Sequence, residues 1–249
     1  MSPTRLLGLA LVVAAIALGI VVAVRGGDDD APTLTVYGAS SLKQALPALD
    51  DAARYSFAGS DTLAEQIRQG APADVFAAAS PRYPRLLRAE GRCSEPVPFA
   101  SNTLALILPV ENAAVASLDD LRSGPPRRLA IGAAAVPIGT YTREALTMLG
   151  AKALLARHTL SEEQDAAGIV AKVALGSADA GIAYTTDARA SSAVVAIPLP
   201  AAAEPTVIYM ACAVLREGAP SAAATAYLEL LTGPTGQREL AAAGFEPVP

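Results

Sequence analysis

Leu34–Leu49 reads LTVYGASSLKQALPAL. Leu34-Thr35-Val36-Tyr37 has strand character, and Gly38-Ala39-Ser40-Ser41 is a turn of small residues. Leu42, Ala45, Leu46 and Leu49 then recur at helical spacing. A strand that runs into a helix through a turn of small residues is the half-unit of an α/β fold.

The alternation continues outward from this stretch. Thr62-Leu63-Ala64-Glu65 has the form of a capping box and predicts a helix to Gln69, with Gly70 as its stop. Further strands are predicted at 73–79, 103–108, 129–132, 180–184, 194–198 and 206–215. Helices are predicted at 81–90, 140–149, 165–175, 221–231 and 235–243, with one helical turn at 118–122. This order predicts an α/β fold with mostly parallel sheets.

The chain has 249 residues, 52% of them hydrophobic, with no Trp. The core must therefore be built from small and branched aliphatics. Net charge is −5 and no basic block occurs, which argues against nucleic acid as a partner. An apolar run, Leu6–Val24, follows Arg5 and precedes Arg25-Gly26-Gly27-Asp28-Asp29-Asp30. About nineteen such residues just span a bilayer as a helix. Residues 1–30 thus read as a signal anchor or a signal peptide, followed by an acidic tether. The length of the run and the want of a small-x-small cleavage site favour the uncleaved anchor. No Cys follows the run for lipid attachment. Cys93 and Cys212 are a candidate disulfide outside the cytoplasm, or else two buried thiols.

Catalytic signatures are missing. The single histidine, His158, stands beside Arg157 in a polar stretch and reads as solvent-exposed. There is no Gly-x-Ser-x-Gly elbow, phosphate loop or metal-ligand cluster in the sequence. The strand-to-helix junctions are more informative. Ser40-Ser41, Gly59-Ser60-Asp61, Val136-Pro137-Ile138-Gly139 and Asp165-Ala166 all open helices. Helix starts offer unpaired N–H groups and a partial positive charge, and small residues let an anion approach them. Singly, Ser41, Ser60 and Asp165 read as ordinary helix caps.

Five ordered motifs carry a family resemblance: VYGASSL (36–42), FAGSDTLA (57–64), GAPADVF (70–76), VPIGTY (136–141) and GIAYTTDA (181–188). With Gly233-Pro234 and Gly244-Phe245 they resemble the periplasmic molybdate-binding proteins of ABC importers, type II solute-binding proteins. The likeness covers roughly 34–248. It implies a two-lobed periplasmic-binding-protein fold with a hinge, after an N-terminal hydrophobic helix. Lobe 1 would comprise 31–101 and 210–249, and lobe 2 would comprise 102–209, with crossings near Asn102 and Tyr209.

The same likeness implies a tetrahedral oxyanion, molybdate or tungstate, in the cleft between the lobes. Ser41 and Ser60 would each give a hydroxyl and an N–H, Ile138 and Ala166 an N–H, and Tyr184 its phenol. No protein atom would ligate the metal and no cofactor is implied. The expected protein is an extracytoplasmic monomer, no enzyme, tethered to or released from the membrane. It would deliver its ligand to ABC permease subunits. A sulfate or other oxyanion binder, or an anchored oxyanion sensor, is the alternative. Two departures stand out. The 46–57 stretch is shorter than usual in the family, and Asp61 places a carboxylate beside a predicted anion contact.

Overall fold

The computed structural model describes residues 33–111, 114–200 and 205–249. The predicted N-terminal hydrophobic helix and tether lie outside them.

In chain order, β1 (Thr35–Ala39) runs into a 3-10 turn (Ser40–Leu42) and the short helix α1 (Ala45–Leu49). Next come β2 (Arg54–Ala58), α2 (Ser60–Arg68), β3 (Val75–Ala78), α3 (Arg82–Ala89) and β4 (Val97–Asn102). After Thr103 follow β5 (Leu104–Pro109), α4 (Leu118–Ser123), β6 (Arg128–Gly132), α5 (Pro137–Met148) and α6 (Leu154–Arg157). Then come β7 (Thr159–Glu163), α7 (Ala166–Ala174), β8 (Ala180–Tyr184), α8 (Thr185–Arg189) and β9 (Val194–Pro198). The chain closes with β10 (Val207–Ala213), α9 (Ala222–Thr232) and α10 (Pro234–Ala242).

The strands form two five-stranded sheets, ordered β2-β1-β3-β10-β4 and β7-β6-β8-β5-β9. The expectation of mostly parallel sheets is corrected: both sheets are mixed. β1 pairs parallel with β2 and β3, and β6 pairs parallel with β7 and β8. Every antiparallel pairing involves β5 or β10. These two strands follow the segments that carry the chain from one sheet to the other, so each enters its sheet from the opposite direction. The first transfer needs only Thr103, between β4 and β5. By Val207 the chain is back in the first sheet, where it pairs with Asn102.

Several local expectations also shift. α2 starts at Ser60 with Gly59 as its cap, not at the Thr62 capping box. The predicted helix over 42–51 is a 3-10 turn followed by α1. His158 is buried, not exposed: its Nδ1 accepts from the Arg127 N–H at 2.9 Å and its Nε2 faces the Leu121 carbonyl at 2.9 Å. It is a neutral imidazole joining two backbone groups, which accounts for a lone histidine without catalysis.

One apolar cluster reaches from Leu42, Leu46 and Phe99 to Leu106, Leu129, Ile169 and Leu231, built on elements of both sheets. A smaller cluster lies under α2 and α3 and holds Leu63, Phe76, Leu87, Cys93 and Cys212. Cys93 and Cys212 form a disulfide with a Cα–Cα distance of 5.8 Å. Cys212 lies on β10 opposite Phe76, and Cys93 bridges to Val214, so the bond sits entirely on the first sheet.

The start of α5 depends on a close backbone approach. A Cβ at Gly139 would stand 2.0 Å from the Ala133 carbonyl oxygen and 2.4 Å from that of Gly132. Both obstacles are backbone, so neither can swing aside. The α5 N-terminus can therefore sit against the end of β6 only with glycine at this position. Gly139→Ala is expected to destabilise the protein by about 1–3 kcal/mol, the usual range for overpacking. Urea denaturation of the two forms checks this.

Candidate functional site

The C-terminal ends of the parallel strands all lead into helix starts. β2 passes through Gly59 into α2, β6 through residues 133–136 into α5, and β7 through Gln164 and Asp165 into α7. Ser60 and Ala166 are the first residues of their helices, and Ile138 is the second residue of its own, after Pro137. N–H groups in a first helical turn have no carbonyl four residues behind them. Proline at the first position loses nothing there, because its missing N–H would have been an orphan. Asp165 caps α7, its Oδ1 accepting from the Gly168 N–H at 2.8 Å.

These starts meet at one small cavity. Ser41, Ser60, Ile138, Ala166 and Tyr184 all line it, with Ala39, Ala58, Gly59, Ala79, Val136, Pro137 and Asp165. Its volume is about 10 Å³, room for roughly one water centre. β1 and β2 bring Ser41 and Ser60 from the first sheet, while β6, β7 and β8 bring Ile138, Ala166 and Tyr184 from the second. Among the described residues, no Lys, Arg or His lines the cavity.

The hydroxyls are arranged in a consistent way. Ser60 is buried, and its Oγ accepts from the Ala79 N–H at 3.1 Å, so its proton remains available. Ser41 Oγ is 2.8 Å from the Tyr209 hydroxyl. Tyr184 is 1% exposed, and its hydroxyl is buried with no hydrogen-bond partner among the described residues. Burial, then the nearby Tyr209 and Tyr141 phenols, holds the Tyr184 hydroxyl well above its usual range, so it is a neutral donor. A buried phenol without a partner is costly in a finished core and calls for an acceptor in the cavity. Asp61 does not line the cavity. It sits in the first turn of α2, where a carboxylate complements the helix dipole.

The two sides of the cavity touch closely. A Cβ at Gly59 would stand 2.3 Å from the carbonyl oxygen of Gln164. Tyr83, on α3, donates its hydroxyl to the Ala135 carbonyl in the segment before α5. Asn102 and Tyr209 are expected from the sequence only as crossings between lobes, and neither they nor Asp187 as part of the site. Asp187 lies in the GIAYTTDA segment, but nothing in its sequence surroundings foretells burial.

The family of bacterial extracellular solute-binding proteins matches residues 34–246. The molybdate-binding protein ModA of Haemophilus influenzae is 32% identical over 230 residues, 85% of this chain and 89% of that protein. ModA of Mycobacterium tuberculosis is 30% identical over 232 residues, 88% of this chain and 87% of that protein. Among solved structures, the periplasmic molybdate-binding protein of Azotobacter vinelandii aligns with a TM-score of 0.75 at 23% identity, covering 85% of this chain and 98% of that one. At that identity the likeness concerns the fold.

Asp187, on α8, is 8% exposed, and its Oδ2 is buried without a partner among the described residues. Burial and, after it, the charge of Asp165 push its carboxyl up from 3.8 to about 8. A carboxyl raised in this way binds its proton more tightly folded than unfolded. Its contribution to stability is therefore full below about pH 4 and lost as pH rises to about 8. Asp187→Asn should match the parent near pH 3 and exceed it by about 2 kcal/mol or more near pH 8. Chemical denaturation at both pH values measures the gap. A gap that does not change with pH would mean that the carboxyl is already ionised in the fold.

Proposed function

Because the chain belongs to the bacterial extracellular solute-binding protein family, we propose that it binds molybdate or tungstate outside the cytoplasm and delivers it to the permease of an ABC importer. It acts as a carrier and not as an enzyme. The apolar 6–24 segment either tethers it to the membrane or is removed after export, and the carrier works as a monomer.

One observation carries the reading. Two serine hydroxyls, a buried phenol and three first-turn N–H groups line a single cavity where, among the described residues, the phenol has no partner and no side chain is cationic. A fully deprotonated oxyanion presents acceptors only, so a site built of neutral donors matches it. Helix starts add about 0.3–1 kcal/mol each toward an anion. Hydrogen bonds to a charged group are worth roughly 1.5–3 kcal/mol each, so a handful of donors outweighs one or two helix dipoles. Asp165 also lines the cavity, its Oδ1 engaged as the α7 cap.

The ligand would also join the two sheets. Ser41 and Ser60 hold it from the first, Ile138, Ala166 and Tyr184 from the second. Lobe closure about the crossings near Asn102 and Tyr209 would bring the two sets together, and opening would release the ligand to the permease. Names of the curated relatives at 30–32% identity support molybdate among the possible oxyanions.

The Ser41→Ala, Ser60→Ala double variant should bind molybdate about 2–4 kcal/mol more weakly than the parent, measured by titration calorimetry. Unchanged affinity would remove these residues from the site. In a thermal-shift panel, molybdate and tungstate should raise the melting temperature more than sulfate or phosphate. Stabilisation by sulfate alone would make the protein a sulfate carrier.

A further inference from the structure

Tyr209 is a fully buried polar side chain beside the cavity that the proposed ligand contacts leave unused. Its ring stands edge-on to Phe99, Tyr184 and Phe245. Its hydroxyl has two hydrogen-bond partners among the described residues, Ser41 Oγ at 2.8 Å and Asn102 Nδ2 at 3.3 Å.

Asn102 decides the direction of both bonds. It is buried, and its Oδ1 accepts from the Thr103 N–H at 2.9 Å. Its NH₂ group is thereby turned toward Thr186 Oγ1, at 2.8 Å, and toward Tyr209. An amide nitrogen only donates. The Tyr209 oxygen therefore accepts from Asn102, and the one acceptor left for its own proton is Ser41 Oγ. The reverse arrangement would bury a phenol proton with no partner. Ser41 thus receives a proton from the protein and keeps its own O–H for the cavity. Ser60 reaches the same state by a different route, accepting from the Ala79 N–H.

We propose that Tyr209, held by Asn102, is a specificity-determining positioning residue that turns the Ser41 hydroxyl to face the ligand as a donor, so that the site disfavours oxyanions carrying a proton. This rests on the oxyanion reading of the cavity. A protonated anion needs an acceptor for its O–H, and both serines have an acceptor side occupied by the protein. Ligand choice is then set partly by two residues that do not line the cavity, one of them at the end of β4 where the chain leaves the first sheet.

Sulfate and phosphate separate this effect from size. They are tetrahedral anions of similar dimensions, but at neutral pH only phosphate carries a proton. Titration calorimetry of the parent and Tyr209→Phe with molybdate, sulfate and phosphate tests the proposal. Competition against bound molybdate supplies the ratio where direct binding is weak. Phenylalanine keeps the ring in its aromatic cluster, so the expected result is molybdate binding several-fold weaker and a sulfate-over-phosphate preference narrowed by about tenfold. An equal loss for all three anions, with the sulfate-to-phosphate ratio unchanged, would overturn the proposal. If Tyr209→Phe does not fold, Asn102→Asp decides in its place. Its carboxylate gives the Tyr209 proton a second acceptor, the Tyr209 oxygen is then free to accept from Ser41, and the same ratio should narrow. A parent protein that binds none of the three anions would refute the oxyanion reading itself.

Discussion

A backbone N–H in the first turn of a helix must find an acceptor outside the helix, and the architecture of this protein is organised around that requirement. α2, α5 and α7 start at one cavity, each directly downstream of a strand in a parallel pair. Parallel strands of one sheet end on the same side, so the helix starts that follow them gather there as well. Two sheets placed end against end then bring two such gatherings together. The small residues at the junctions, Gly59 and Gly139 among them, are required because backbone approaches backbone at distances that a Cβ would violate.

The polar chemistry follows from the same geometry. A cavity surrounded by orphan donors attracts negative charge without any cation in its wall. Hydroxyls complement it only if their protons point inward. Ser60 meets that condition through the Ala79 N–H and Ser41 through Tyr209. Asp187 is the counterpart. It is a buried carboxyl outside the cavity lining, and burial, with the charge of Asp165 after it, pushes it up toward its neutral form. The disulfide lies apart from all this, tying β10 to the segment after α3 within the first sheet.

The pattern of what the sequence reading missed has a physical cause. β2, β4 and β7 were not anticipated as strands, and all three are edge strands. Arg54 is exposed and the rest of β2 is half-buried, while β7 reads TLSEE, so neither shows an apolar run. β4 contains Pro98, which cannot donate to a ladder, and its pairing with β10 shifts register between Tyr209 and Met210. The interior strands, buried on both faces, were legible as short apolar runs. Parallel pairing was over-anticipated because alternation of strand and helix says nothing about β5 and β10, the two strands that follow the crossings between sheets.

By itself, the sequence determined the alternation of elements, the glycine and proline punctuation at the helix starts and, through its ordered motifs, five of the residues that line the cavity. Those are local or motif-borne properties, written within a few residues of each other. Tertiary structure alone decided that Ser41 faces Tyr209, 168 positions away, that Asn102 faces Thr186, and that His158 and Asp187 are buried. The direction of a hydroxyl proton depends on which acceptors the fold places within reach. That is a property of contacts between distant segments, and no local pattern encodes it.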